Sequence, residues 1–332
     1  MNYLLNINPH GPPKSFKRTM MKSYKSLAYQ ANDGYAAAKS LLAAFNGVLD
    51  ENILIASGKD ELLSLVLGTL RPRKVLVPLP TSCVYQDACK RFGCEVVSFS
   101  TEKKDEFDLD AEKLISAAGN VDMIIISNPN NPTSKITDRA KMAKILDYCQ
   151  LKGIYLVVDE SFADFVSEDI SSVGKIGKYA NIIILKTLSN YFALPGLGLS
   201  YSISCQSLTE LMQDWQVPLT VSAPSLLAFT SLLGDIKYIK KTKAWLSSEP
   251  ERFFKRISAL KGIVAYKPYA NYIFIELEEM PSSVLCERMD KKGIKVCNCN
   301  KMGVDERQYI RVAILDKRSN EKFLDAFSGC LL

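Results

Sequence analysis

The sequence lacks the features that mark several large classes of protein. It has only one histidine, His10, and neither this histidine nor the nine cysteines have the spacing of zinc ligands. The Cys297–Cys299 pair alone does not predict a metal site. No apolar run reaches membrane-spanning length, and the N-terminus turns quickly to Asn, Pro and Gly, unlike a secretory signal. We therefore expect no metal, no membrane association and a cytoplasmic protein with reduced thiols.

Charge of neither sign dominates the chain. Lys and Arg number 42 against 36 Asp and Glu, which gives a net charge of +6. The basic residues are scattered, and a short cluster such as the one around Lys240 is typical of a solvated helix face rather than of a nucleic-acid-binding surface. A hydrophobic content of 47% is ordinary for a globular protein, and 332 residues favour one large and one small domain.

Short apolar runs alternate with amphipathic stretches over the first two thirds of the chain. The runs predict buried parallel strands at 52–56, 74–78, 95–98, 123–127, 155–158 and 182–185. The stretches predict helices at 61–70, 82–92, 111–118, 138–151 and 171–179. This alternation predicts an α/β domain with a mainly parallel sheet.

The pattern changes after about residue 222. A charged helical region at 236–260, interrupted near Pro250, precedes strands at 272–277, 294–296 and 309–313 and helices at 282–292 and 319–327. This α+β pattern indicates a second, smaller domain. We expect residues 35–230 to form the large domain, and residues 1–34 and 231–332 to form the small domain with an N-terminal arm.

Polar loops follow the predicted strands, where open α/β sheets bind their ligands. Gly58, Lys59 and Asp60 follow the first strand. The amides that open the next helix indicate an anion site there, although an ordinary helix cap is the alternative. Asn131 stands in a proline-locked turn after the fourth strand, and Asp159 ends the fifth. An acid in that place can meet a positively charged ring nitrogen or cap a helix.

The order and spacing of these loops resemble those of fold-type-I pyridoxal-phosphate (PLP) enzymes. The resemblance lies in the histidinol-phosphate aminotransferase and threonine-phosphate decarboxylase branch, and it runs nearly end to end. The matching segments are 6–13, 58–61, 128–133, 159–162, 187–196 and 309–313. It implies a seven-stranded, mostly parallel sheet with a smaller α+β domain, and an amino-acid-like ligand.

The resemblance also implies a role for each matching residue. Asp159 would pair with the pyridinium nitrogen of PLP, and Asn131 would bind its phenolic oxygen. Arg311 would clamp a substrate carboxylate, and Tyr29 would reach the phosphate in a neighbouring subunit. The phosphate itself would lie in a cradle after Gly58, formed by the amides of Lys59 and Asp60 and the hydroxyls of Thr187 and Ser189. Asn8 and Gly11, in the matching N-terminal segment, would lie at the substrate.

Several positions depart from the family pattern. The motif that normally ends in the Schiff-base lysine ends here in Asn190, whose carboxamide neither forms that bond nor shuttles a proton at neutral pH. Gly198 replaces a phosphate-binding arginine, and Ser82 replaces the aromatic ring that stacks on the pyridine. Ser200 and Cys297 replace a glycine and an arginine. We therefore expect PLP, if it binds, to bind weakly and without a covalent bond.

Three hypotheses for function remain open, so enzyme status is undecided from the sequence. The first is a catalytically deficient homologue that binds a ligand or a partner subunit. The second is an enzyme whose chemistry on this scaffold needs no Schiff base to the chain. The alternative to both is an active aminotransferase or decarboxylase, acting on an amino acid or its phosphate ester, that is rescued by another lysine or altered by mutation at Asn190.

Two lysines, and the assembly of the chain, bear on these hypotheses. Lys186 lies near Asn190, but a surface or salt-bridge role is favoured over catalysis, and Lys59 supplies charge in the phosphate loop without restoring the chemistry. Because fold-type-I sites lie at dimer interfaces, we expect a homodimer or a heterodimer with an intact homologue.

Overall fold

The computed structural model describes residues 1–28, 32–304 and 308–331, and its centre is a seven-stranded sheet. The strands are β1 (Ile53–Ser57), β2 (Lys74–Leu79), β3 (Glu95–Ser100), β4 (Met123–Ser127), β5 (Tyr155–Asp159), β6 (Ile182–Thr187) and β7 (Leu199–Ser204). Their order is β1-β7-β6-β5-β4-β2-β3, and β7 runs antiparallel to both of its neighbours. The predicted fold, a seven-stranded and mostly parallel sheet, is confirmed.

Helices cover both faces of this sheet, which explains why its strands are continuous apolar runs rather than alternating ones. All five residues of β4 are buried, and successive side chains of β4 enter two different hydrophobic clusters. The covering helices are α2 (Asn32–Asn46), α3 (Lys59–Leu70), α4 (Val84–Arg91), α5 (Ala111–Ala117), α6 (Arg139–Lys152), α7 (Gln206–Trp215) and α8 (Ala223–Leu232). Each fully buried Ile or Leu contributes about 1.5–3 kcal/mol, so the two clusters fix the strand ends in register.

A four-stranded antiparallel sheet forms the C-terminal part of the chain. Its strands are β8 (Ile263–Tyr266), β9 (Tyr272–Leu277), β10 (Cys297–Asn298) and β11 (Tyr309–Ala313), in the order β10-β11-β9-β8. The accompanying helices are α9 (Ile236–Leu246), α10 (Glu249–Ser258), α11 (Ser282–Lys291) and α12 (Lys317–Leu331). None of the helices within the described ranges has the length and apolar character of a bilayer-spanning segment.

The N-terminal arm connects the two parts. Tyr3 is fully buried and adds backbone hydrogen bonds to Lys295 and Ala313 of the C-terminal part, at 2.8 and 3.1 Å. The arm then passes the end of the large sheet and enters helix α1 (Lys14–Lys22), which packs against α8. Because the arm contacts both parts, the domain boundaries at residues 34 and 230 stay a prediction.

Most predicted elements are confirmed, and two need correction. The helix predicted at 171–179 is wrong, because the segment holds only a 3-10 turn, Val173–Lys175. Gly174 and Gly177 weaken helix formation there, and Ser171 and the amide of Ser172 bond to Glu160 instead. The strand predicted at 294–296 lies slightly later, at β10, and strands β7 and β8 were missed. Further 3-10 turns occur at Tyr24–Ala28, Asp50–Asn52, Lys103–Asp105, Ala163–Phe165 and Pro195–Leu197.

Candidate functional site

The carboxyl ends of β4, β5 and β6 lie side by side. Ser127, the last residue of β4, is in register with Asp159, the last residue of β5, and Asp159 is in register with Leu185, two residues before the end of β6. The Asn128 N–H donates to the Asp159 carbonyl at 2.8 Å, which continues this alignment into the loop that carries Asn131. The polar loops predicted from the sequence therefore begin at a common edge.

Asp159 is the buried charge at this edge, since only 1% of its side chain is exposed. The Lys59 ammonium lies 2.9 Å from Oδ2, and the Tyr85 hydroxyl donates to the same oxygen. Oδ1 accepts hydrogen bonds from the amide and the hydroxyl of Ser161. Burial raises the pKa of Asp159, but Lys59 together with Ser161 and Tyr85 outweighs burial and holds this pKa below its ordinary value. The carboxyl group is therefore ionised.

The loop from Gly58 into α3 brings Lys59 to this carboxylate. Gly58 has φ +100°, a backbone conformation that residues other than glycine rarely adopt, and it precedes the first turn of the helix. The amides of Lys59 and Asp60 open that turn, where helical geometry provides no intrahelical acceptor. The Lys59 side chain crosses the Tyr85 ring, with Nζ 5.2 Å from its centroid. This loop thus offers both helix amides and a cation.

Asn131 and Arg311 meet although 180 residues separate them in sequence. An Arg311 guanidinium N–H donates to Oδ1 of Asn131 at 2.5 Å, and a second one donates to the Leu4 carbonyl at 2.5 Å. The guanidinium also lies over the Tyr272 ring, 5.7 Å from its centroid, and the Tyr272 hydroxyl donates to the Asn130 carbonyl. Within the described residues the Arg311 Nε is buried without a hydrogen-bond partner. The predicted carboxylate clamp is therefore buried, and one of its donors is unused.

The hydroxyls of Thr187 and Ser189 are both tied to the backbone of Leu199. Thr187 donates to the Leu199 carbonyl at 2.8 Å, whereas Ser189 accepts from the Leu199 amide at 2.8 Å. The Thr187 hydroxyl proton is thus committed to the protein. The Ser189 hydroxyl keeps its proton available for an anion.

Asn190 follows Ser189 and is held through its backbone by the N-terminal arm. Its carbonyl accepts from the Asn8 amide at 3.0 Å. The Asn8 carboxamide donates to the Tyr191 carbonyl and to the Thr242 hydroxyl, both at 2.8 Å, so Asn8 fastens the arm beside position 190. Gly11 has φ +68°, and its carbonyl accepts from the Tyr238 hydroxyl at 2.9 Å.

The positions that depart from the family pattern have distinct surroundings. Gly198 has φ +58°, and a Cβ added there would lie 3.0 Å from the Ser57 carbonyl carbon, so the local backbone suits glycine. Cys297 pairs with Arg311 across β10 and β11. A hydrogen bond from Cys299, helped by the charge of Arg311, lowers the pKa of the Cys297 thiol against the opposing effect of burial.

Lys186 points to the opposite face of the sheet from Asp159, as the alternation of side chains along β6 requires. Its ammonium lies 3.3 Å from Glu160 and 4.0 Å from Asp164. Burial lowers the pKa of Lys186, but Asp164 and Glu160 outweigh burial and raise it above its ordinary value. Lys186 is therefore a buried ion-pair residue and not a second amine beside Asn190.

Sequence reasoning missed the residues that surround Asp159 and Arg311. Tyr85, Ser161 and Tyr272 carry no motif of their own, and only the fold brings them to the strand ends. Lys59 was singled out for its amide and its charge, but its contact with Asp159 had no sequence signal. Tyr29 lies outside the described residues, so its predicted role stays a prediction.

Comparison with known proteins identifies the family. The family model for class I and II aminotransferases matches residues 3–327. The threonine-phosphate decarboxylase of Salmonella typhimurium is 29% identical over 333 residues, covering 100% of this chain and 91% of that protein. Histidinol-phosphate aminotransferase 2 of Archaeoglobus fulgidus is 24% identical over 328 residues, covering 98% and 92%.

Solved structures give the same result for the fold. The histidinol-phosphate aminotransferase of Clostridium acetobutylicum superposes with a TM-score of 0.94 at 27% identity, covering 100% of this chain and 99% of that one. The Sinorhizobium meliloti enzyme, solved in complex with pyridoxal-5'-phosphate, gives 0.89 at 19% identity, covering 99% and 90%. At that identity the second likeness shows the fold alone. Since the family model spans nearly the whole sequence, the chain belongs to the class I and II aminotransferases, a PLP-dependent family.

Proposed function

We propose that this chain binds PLP at the ends of β4, β5 and β6, without a covalent bond, and acts on an amino acid or its phosphate ester. The observation that carries the proposal is the Asp159 carboxylate, which is almost fully buried at the carboxyl end of β5 and lies 2.9 Å from the Lys59 ammonium. Within the chain the Lys59 ammonium compensates this buried charge, and a protonated ring nitrogen is the cation that this family brings to the same carboxylate.

The residues present fit the polar groups of PLP in part. Asp159 would bind the ring nitrogen, while the amides that open α3 and the Ser189 hydroxyl would bind the phosphate. Asn131 lies beside Arg311, which would bind the carboxylate of the substrate. Covalent attachment does not fit, because Asn190 has no amine. At Gly198 the backbone disfavours the arginine that relatives use for the phosphate.

This set of residues defines what the protein would contribute to a reaction. PLP supplies an electron sink for negative charge at the α-carbon of the substrate. Asp159 would keep a proton on the ring nitrogen, and Arg311 would orient the substrate through its carboxylate. Asn190 cannot move a proton at the α-carbon. We therefore expect turnover slower, by roughly 10²–10⁴-fold, than with a lysine acting as acid and base.

The comparisons favour an active aminotransferase or decarboxylase over a catalytically deficient homologue. The two relatives compared above are named for these activities, and each of them aligns over at least 98% of this chain. A non-catalytic binding protein is the second candidate. It draws its support from Asn190 and from the Lys59–Asp159 ion pair, which occupies the ring-nitrogen site.

An assay with excess PLP separates the two candidates. Threonine phosphate, an amino-acid phosphate ester, is assayed by detection of carbon dioxide. Histidinol phosphate, which has no carboxylate, is assayed with a 2-oxo acid acceptor, whose carboxylate Arg311 would bind. The two assays cover the activities in the names of the relatives. We expect slow product formation from one of them, and loss of that product in Asp159→Asn. If PLP binds but neither substrate reacts above the Asp159→Asn control, the binding protein is the better assignment.

Assembly is part of the proposal, since the family builds its site between subunits. We expect a homodimer, or a heterodimer in which this chain completes the site of an intact homologue through Tyr29. Light scattering of the purified chain tests the first form, and a monodisperse monomer at micromolar concentration contradicts it. Co-purification from the native cell tests the second form, and recovery of self-copies only argues against it.

A further inference from the structure

The contacts of Asp159 leave no free acceptor for an incoming ring nitrogen. A carboxylate offers about four lone-pair sites. Two of these, on Oδ1, accept from the amide and the hydroxyl of Ser161. The other two, on Oδ2, face Lys59 and Tyr85. A ring nitrogen that approaches Asp159 must therefore displace one of these donors.

Lys59 is the donor that such a nitrogen would replace. Ser161 is the second residue after Asp159 and is fixed to it by two hydrogen bonds, and the Tyr85 ring is 1% exposed. The Lys59 side chain is 24% exposed and emerges from the first residue of α3, so it has room to leave. It is also the one charged donor among the four, and a pyridinium would bring the same charge to the same oxygen.

We infer that Lys59 is the internal counter-ion of Asp159, occupying the place of the cofactor's ring cation, so that PLP binds only by exchange with the Lys59 ammonium. The inference deepens the proposed function and rests on PLP binding at this site. It assigns the weakness of binding to a competing cation within the chain, in addition to the missing covalent bond. The ligands that bind best would then be those that bring a cation to Asp159.

The exchange predicts the sign of a mutational effect. In wild-type protein PLP replaces one cation by another, whereas in Lys59→Met the buried carboxylate has no cation until the ring arrives. Uncompensated buried charge is strongly unfavourable, so Lys59→Met should bind PLP more tightly. We expect a decrease in Kd of about tenfold or more, which corresponds to about 1.4 kcal/mol. If Lys59 instead serves the phosphate, the same substitution weakens binding.

Equilibrium dialysis with PLP measures this effect in the full-length chain. Lys141→Met is the matched control, because Lys141 is 29% exposed and pairs with Asp108 in the loop before α5. We expect Lys141→Met to bind like the wild type, and the double variant Lys59→Met/Asp159→Asn to lose the gain. An unchanged or higher Kd for Lys59→Met overturns the inference. A borohydride-stable PLP adduct on Lys59 overturns it as well, because the amine would then be a reactant.

A second measurement tests the ion pair without PLP, so that failure of the proposed function is distinguishable. Thermal unfolding of the two single variants and the double variant forms a cycle. We expect Lys59→Met to lower Tm by roughly 3 °C, and to have little effect when Asp159 is already Asn. If no variant binds PLP but this coupling is present, the proposed function fails, whereas the assignment of Lys59 as the counter-ion of Asp159 holds. Absence of coupling between Lys59 and Asp159 rejects the assignment of Lys59 as the counter-ion.

Discussion

Two lysine–carboxylate pairs lie on opposite faces of the same strand ends, and they differ in what holds them. Asp159 and Glu160 are neighbours in sequence, and their partners are Lys59 and Lys186. In the Glu160 pair, 0% of the carboxylate side chain and 6% of the lysine side chain are exposed; Lys186 lies on β6, and Glu160 is the residue directly after β5. In the Asp159 pair the lysine comes from a helix start and is 24% exposed.

The difference separates a structural pair from an exchangeable one. The Glu160 side chain is fully buried, and Lys186 is held between Glu160 and a second carboxylate, Asp164, 4.0 Å away. Lys59 can leave Asp159 by rotation of its own side chain, although Asp159 itself stays buried. One face thus fixes the strand ends, and the other keeps a charge available for a ligand.

Among the tests of this difference between the two pairs, we expect the largest change in stability from Lys186→Met. Removing the lysine leaves Glu160 buried without its cation, so we expect a loss of about 3 kcal/mol or more in the free energy of unfolding. Urea denaturation measures the loss. Lys141→Met, which breaks the partly exposed Lys141–Asp108 pair, is the control, and its free energy of unfolding should change by about 0–1 kcal/mol. A loss below that of Lys59→Met would remove the distinction between the two pairs.

A smaller effect is expected from restoring the arginine that relatives carry at position 198. The φ of +58° and the 3.0 Å approach to Ser57 oppose any side chain there, so Gly198→Arg should cost about 1–2 kcal/mol of stability. It should not tighten PLP binding by itself. Dialysis and urea denaturation of the same preparation test both statements. A stable Gly198→Arg protein with a tenfold lower Kd for PLP would show that the loop accepts the arginine.

The smallest effect concerns acid stability. The folded pKa of Asp159 lies below its ordinary value, so its contribution to stability is present above about pH 4 and is lost as the pH falls through the folded pKa. The Lys186 pKa is raised, so its contribution is lost only as the pH rises through a folded pKa above the ordinary lysine range. Asp159→Asn should therefore flatten the decline in unfolding free energy between pH 5 and pH 3. An equally steep decline in Asp159→Asn would mean that Asp159 does not titrate there.

The strand ends were predictable, whereas the contacts made across them were not. Continuous apolar runs such as that of β4 predict a strand buried on both faces, and the polar loops that follow these runs indicate the edge of the sheet where the strands end. The pairs Lys59–Asp159 and Asn131–Arg311 span 100 and 180 residues, and no local pattern records them. The prediction of a helix at 171–179 is wrong because it rested on the spacing of apolar residues and gave too little weight to Gly174 and Gly177. In the structure the Ser171 hydroxyl and the Ser172 amide bond to Glu160 instead.

The central claim is that this chain holds PLP without a covalent bond, and borohydride reduction tests it most directly. Wild-type protein shown by dialysis to retain PLP is reduced, digested and examined by mass spectrometry, next to Asn190→Lys. We expect no pyridoxyl-lysine peptide from the wild type and a partial yield at residue 190 in the variant. A pyridoxyl-lysine at Lys59, Lys186 or any other lysine of the wild type would contradict the account.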